Sequence, residues 1–271
     1  MSFESKIPTE IEIKTEDPIK KKNMKIYYND VIRNFNITND KDTPFSDLPY
    51  NDQEYIRRFC KKQFEKEPSF SFFAFCVRFK NDCIVHKNIN PMIFDILDTI
   101  ESKILNFVHT NTNTDELKYL FRVDDKGMEF GDPDLKTFKL SKLCTFVKQY
   151  ILVCLDGLFS NLVSMKLINS YTKNKLNYQV LLSYIPFILS KDELKLLTRL
   201  LKIFRLIHYH KDLTHMSMTG LLKLFSLVLF DSKCFTTLDM LLTVENILVD
   251  ISKLNFQKIP RTVIKKILKC V

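Results

Sequence analysis

Four glycines and no tryptophan in 271 residues leave little material for glycine-rich phosphate loops or turn-dense β architectures. No G-x-G-x-x-G, P-loop or G-x-S-x-G pattern occurs, and no cysteine sits in a nucleophile signature. The seven cysteines, at 60, 76, 83, 144, 154, 234 and 270, are odd in number and contain no C-x-x-C. That set is not a disulfide framework; several fall inside apolar helical patterns and read as buried thiols in a reducing compartment. The histidines at 86, 109, 208, 210 and 215 lack metal spacing, since His208 and His210 stand two apart and point away from each other on a helix. Neither a self-contained enzyme nor a metal site is expected. Every apolar run stops well short of the roughly 20 residues that span a bilayer. The start, with Glu4, Lys6, Glu10 and Glu12, is no signal peptide. The expectation is a soluble, cytoplasmic protein.

What is present favours helices. Hydrophobic residues make up 45% of the chain, enough for a substantial core, and Leu, Ile, Phe and Lys are abundant. Residues 1–23 alternate charges around Pro8 and Pro18 and read as a flexible leader. Residues 24–72 carry short apolar patches between turn-rich stretches and read as a helical or loop-rich lead-in, closing on the aromatic run Phe70 to Phe75, expected to enter a buried environment. From there the period is helical. Asn90 and Pro91 cap a predicted helix over 91–105, with Ile93, Ile96, Leu97, Ile100 and Ile104 on one face. Leu140, Leu143, Cys144, Val147, Ile151 and Leu155 mark a second, Val163, Leu167, Ile168 and Tyr171 a third, and Leu181, Leu182 and Ile185 a short fourth. Ser190 to Glu193 is a capping box opening a long helix, and further helices are predicted near 217–230, 236–252 and 260–271. The predicted architecture is all-α, a domain over 73–252 followed by a basic helix over 253–271 that packs on it or flanks it.

Much of the net charge of +9 lies at that end: Lys253, Lys258, Arg261, Lys265, Lys266 and Lys269 have no Asp or Glu among them. Such a segment could touch an anionic membrane surface. Nucleic acid is a weaker reading, because exposed aromatics do not interleave with the cations. Within the last helix, Ile264, Ile267, Leu268 and Val271 are expected to form an apolar stripe with Lys265, Lys266 and Lys269 toward solvent.

One stretch resists a purely structural reading. Arg122 follows the apolar pair Leu120 and Phe121, where an ordinary loop would be polar. Its stem can cover the edge of a core while the guanidinium snorkels to water. Alternatively, an arginine on a loop anchored by two apolar side chains can be pushed into a partner's active site.

Four segments, in order over roughly 73–235, resemble the Rho GTPase-activating (RhoGAP) domain family. Phe75-Cys76-Val77 with Asn90-Pro91-Met92-Ile93 is similar to the family's opening and its proline-led first helix, and Leu120-Phe121-Arg122-Val123 to its finger loop. The run Phe146 to Phe159, with Lys148 and Tyr150, resembles the family's Leu-Lys-x-Tyr-Leu-Arg helix. Leu181 to Pro186, His215 to Leu221 and Phe225 resemble its paired helices and Lys-Met-Thr segment.

The resemblance implies an all-α fold of eight or nine helices with a short N-terminal extension, and binding to a small Rho-type GTPase. It implies no cofactor of its own, GTP and Mg belonging to the partner. It makes Arg122 the arginine finger, Lys148 the helix lysine beside it, and Leu120, Phe121, Thr214 and Gly220 partner-binding positions. The chain departs from the family's pattern where Tyr119 or Leu120 replaces a turn glycine, where Leu152 replaces an arginine, and where Thr214 and Gly220 replace asparagines. Asp124 and Asp125 place negative charge beside the finger, and the interval to Lys148 is short enough to trim a small helix. These departures leave three functional readings: a GTPase activator, full or weakened, a non-catalytic helical scaffold, and a basic membrane-surface binder.

Overall fold

The computed structural model describes residues 44–66, 83–110, 112, 114–122, 135, 137–235, 237–260, 263, 264 and 267. Outside them lie the leader over 1–23, the aromatic run Phe70 to Phe75, the Phe75-Cys76-Val77 motif, Asp124 and Asp125, and Leu268 and Val271 of the terminal stripe. Among the described residues there are nine α-helices and no strand beyond isolated bridges at Pro44–Lys258 and Phe159–Phe230. The helices are α1 (Tyr50–Lys66), α2 (Met92–Thr110), α3 (Leu140–Gln149), α4 (Asn161–Lys173), α5 (Lys175–Ile188), α6 (Lys191–Tyr209), α7 (Lys211–Thr214), α8 (Met218–Leu229) and α9 (Leu238–Ser252).

The stripe predicted for the first helix turns inward, and side-chain caps fix the starts of α2, α5, α6, α8 and α9. Asn90 Oδ1 accepts from the Met92 N–H at 3.0 Å, and α2 then turns Ile93, Ile96, Leu97, Ile100 and Ile104 inward. It runs to Thr110, past the predicted end at 105. The predicted capping box opens α6: Ser190 Oγ accepts from Glu193 N–H while Glu193 reaches back to the Ser190 N–H. The same buried carboxylate also accepts from the Lys87 N–H at 2.6 Å and lies 2.9 Å from His86 Nδ1, which ties the segment before α2 to α6. The short fourth helix becomes 14 residues: Asn174 caps it upstream at Asn177 N–H, and it ends two residues beyond Pro186, whose missing N–H removes one bond from its last turn.

The predicted second helix changes character partway. After Gln149 the chain widens into a π-helical turn, Tyr150–Cys154, that leaves Leu152, Val153 and Cys154 exposed. Asp156 and Gly157 then take positive φ, and a Cβ on Gly157 would stand 2.7 Å from the Phe230 carbonyl carbon. Only glycine fits that approach. Leu158 and Phe159 N–H groups both donate to the Leu229 carbonyl at 2.8 Å, stitching this exit to the end of α8.

Helix α1 packs on α5, α9 on α8 and α4, and α2 between α3 and α6. Phe45, Ile56, Phe59, Cys60 and Phe64 join the same core as α2 to α9, so the lead-in over 24–72 contributes its own helix to that core. Lys166 on α4 is buried and its Nζ donates to the Phe64 and Glu65 carbonyls at 2.8 and 2.7 Å, closing the end of α1. Beyond α9 the chain returns to Phe45, whose N–H donates to the Gln257 carbonyl. Val263 is fully buried and Ile267 nearly so, while Ile264 is only half-buried. The inward side is thus centred on 263 and 267, four apart, which places Ile264 at its margin.

Candidate functional site

The loop holding Arg122 leaves α2 through a 3-10 turn, Thr114–Leu117. Leu117, Leu120 and Phe121 are buried, whereas Lys118, Tyr119 and Arg122 face solvent. Phe121 sits edge-on to Phe225 of α8, centroids 5.1 Å apart, and edge-on to Phe204 of α6 at 6.0 Å. Those contacts lock the residue before the arginine into the core. Tyr119 and Phe121 both adopt left-handed backbone, φ 56 and 67, a conformation that bulky side chains rarely take. Tyr119 occupies a place where the resemblance expects glycine, and the chain makes a left-handed turn there without one. Strain of about 1–3 kcal/mol per such residue is held by its surroundings. The Tyr119 N–H donates to the Thr214 carbonyl at 2.9 Å, and its ring stacks on His215 at 5.7 Å. The Arg122 N–H closes the turn on the Tyr119 carbonyl at 3.0 Å.

The geometry divides the sequence-predicted residues into two groups. Leu120 and Phe121 are anchors, and Thr214 is fully buried with its hydroxyl donating to the Ile207 carbonyl at 2.9 Å. These side chains shape the loop from within and offer no surface to a partner. Arg122 and Gly220 come together at the surface: a Cβ built on Gly220 would lie 3.7 Å from Arg122 Nη2. Gly220 is in the first turn of α8, where its N–H is already taken by Ser217 Oγ at 3.0 Å. Among the described residues no acceptor hydrogen-bonds or ion-pairs with the guanidinium. Lys148 lies half-buried in the last turn of α3. Cys144, one turn earlier on the same helix, is fully buried, and that burial pushes its thiol well above the ordinary range. Helix α3 packs against the 3-10 turn that opens the loop, which sets the helix of Lys148 beside it.

Sequence reasoning missed the rest of this face. Gly220, Lys223 and Leu227 recur at near-helical spacing along one side of α8, and Lys223 and Leu227 are exposed. Lys223 Nζ approaches Glu245 of α9 at 3.8 Å. The π turn packs against α8, and its exposed Leu152 and Val153 add apolar surface there. The spacing of 220, 223 and 227 was available as a signal; the π turn was not, because nothing in the Tyr150–Cys154 side chains marks it. No group of three or more His, Cys, Asp or Glu among the described residues could hold a metal ion. No helix among them is long and apolar enough to cross a membrane.

A guanidinium that is exposed, has no hydrogen-bond or ion-pair partner among the described residues and follows two residues pinned to the core is a cation on a fixed backbone. Its planar fork suits the oxygens of a transferring phosphoryl group. The model of the RhoGAP domain matches residues 96–234, just over half of the chain. Searches of curated proteins and of solved structures gave no match. The matched span runs from inside α2 to the turn after α8 and includes Arg122, Lys148 and Gly220. By its all-α fold and this match, the chain belongs to the RhoGAP domain family, whose general function is activation of Rho-type GTPases.

Proposed function

We propose that this chain binds a small Rho-type GTPase across the face formed by the finger loop, α3 and α8, and stimulates GTP hydrolysis through Arg122. The observation that carries this reading is the exposed Arg122 guanidinium, without a partner among the described residues, on a loop fixed by Leu120, Phe121 and the Tyr119–Thr214 hydrogen bond. The backbone of such a residue is already fixed, so only its side chain has to be ordered on entering a partner's nucleotide site, where its charge acts on the γ-phosphoryl transition state. Fingers of this kind contribute about 10³ to 10⁵ in rate. No cofactor is required of this chain, and GTP and Mg belong to the GTPase. Lys148 supplies favourable charge at the rim. On this reading the protein acts in the cytoplasm, where it would meet a Rho-type GTPase.

A weakened activator is the second reading, favoured by one observation. Gly220 has no side chain with which to hold the guanidinium, and no other described residue holds it. Binding then survives better than acceleration. The non-catalytic scaffold retains the fold and uses another surface.

The test is single-turnover GTP hydrolysis by a panel of Rho-type GTPases with and without this protein, alongside binding to the GDP state with a transition-state mimic. Acceleration supports the activator; mimic-dependent binding without acceleration selects the weakened form. If no GTPase responds in either assay, the scaffold alternative replaces both.

A further inference from the structure

We propose that one pole of the helix bundle, built from the ends of α4, α6 and α9 and the start of α5, is a docking surface for an anionic lipid bilayer. Side-chain ties bring these ends together. Tyr178 near the start of α5 donates its hydroxyl to Asp250 Oδ2 at 2.9 Å, and its ring meets Tyr171, near the end of α4, edge-on at 5.0 Å. Arg205 on α6 donates to the Ser252 carbonyl at the end of α9 at 3.1 Å. Around this junction Lys173, Lys175, Arg205 and Lys253 are exposed. Of the acids there, Asp250 already serves Tyr178 and Lys253.

Helix stability does not account for the whole set. Lys173 and Lys253 sit at helix C-terminal ends, where the backbone dipole favours cations. Lys175 is the first residue of α5, where that dipole disfavours one, so an external anion is the better account of it. Each of two of these helix ends also carries an exposed apolar side chain next to a cation. Leu176 is 77% exposed beside Lys175 on α5, and Tyr209, one turn beyond Arg205 on α6, is 82% exposed. Exposed cations alternating with a leucine and a tyrosine match the chemistry of a bilayer interface: lysine and arginine meet the headgroup charge, while the apolar bodies enter below it. The pole also adjoins the finger loop, because α6 leads through α7 to Thr214, whose carbonyl holds Tyr119.

The experiment is co-sedimentation of the full chain with phosphatidylcholine vesicles with and without one third phosphatidylserine. Binding that requires phosphatidylserine is expected. It should fall on the order of 25-fold or more in Lys175→Glu/Lys253→Glu, from loss of two surface cations. It should fall several-fold in Leu176→Ser/Tyr209→Ser, which removes no charge and guards against a misfolded reversal variant. Thermal melts of both should match the wild type. The proposal is overturned if the wild type shows no dependence on phosphatidylserine, or if both variants bind vesicles as the wild type does. It is equally overturned if binding is lost only in Lys265→Gln/Lys266→Gln/Lys269→Gln. A loss of GTPase association with vesicle binding intact would make this pole a protein contact instead. None of these outcomes depends on whether Arg122 acts as a finger.

Discussion

The guanidinium of Arg122 rests against Gly220, with only 3.7 Å between Nη2 and the place a Cβ would occupy. The glycine is therefore the floor on which the finger lies. Gly220→Leu should displace the arginine from α8 without harming the helix, since leucine is the better helix former by somewhat under about 1 kcal/mol. The added Cβ would press on Ser217 Oγ at 3.2 Å, and turning that hydroxyl aside gives up its cap bond to the residue-220 N–H, about 1 kcal/mol that roughly offsets the gain in propensity. We expect the maximal stimulated rate of GTP hydrolysis to fall while the melting temperature holds. A maximal rate equal to wild type would show that the floor has no part in positioning.

Phe121 is the anchor on which that geometry depends. Its ring is buried against Phe204 and Phe225, so Phe121→Ala should destabilise the fold by about 3–5 kcal/mol, as expected for loss of a large buried aromatic. Urea denaturation followed by circular dichroism measures this. A change under about 1 kcal/mol would mean that the loop is not held through this ring.

Much of this was legible in the sequence because helix periodicity is a local signal. The stripe Ile93, Ile96, Leu97, Ile100 and Ile104 and the Ser190–Glu193 box each specify their structure within a turn or two. The π turn at Tyr150–Cys154 was not legible, since it answers to distant partners: Tyr150 accepts from the Asn90 N–H at 2.8 Å, and the chain beyond it must reach the Leu229 carbonyl. The positive φ at Tyr119 and Phe121 was hidden for the same reason, being imposed by Thr214 and the aromatic core rather than by a glycine. Thr214 shows the limit in reverse. A position carried over from the family's binding residues is here a buried threonine whose carbonyl, not side chain, serves the loop.

Buried thiols give the fold an alkaline limit. Burial raises the Cys60 and Cys144 thiols well above the ordinary value of 9.0 and pushes Cys234 up to about 12. All three stay neutral in the folded chain, whereas in the unfolded chain they ionise near pH 9. Their contribution is thus complete below that pH and declines as pH rises, by up to about 1.4 kcal/mol per pH unit for each thiol. Denaturation measured from pH 8 to pH 11 should show this decline, with a smaller slope in Cys144→Ala. An unchanged slope in that variant would remove Cys144 from the account.

Lys148 tests the rim of the proposed interface. Reversal by Lys148→Glu should slow association with the GTPase, more strongly at low salt, and leave dissociation nearly unchanged. Stopped-flow association rates across ionic strengths are the measurement. An effect confined to dissociation would instead place Lys148 in a desolvated contact.

The central claim is that Arg122 supplies transition-state charge, and the sharpest test compares Arg122→Ala and Arg122→Lys in single-turnover GTP hydrolysis with a responsive Rho-type GTPase. Both variants should fold within about 0.5 kcal/mol of wild type, as exposed positions do. Both should retain ground-state binding yet lose the acceleration, because lysine keeps the charge without the planar fork. Full acceleration by Arg122→Lys, or by Arg122→Ala, would contradict the arginine-finger account.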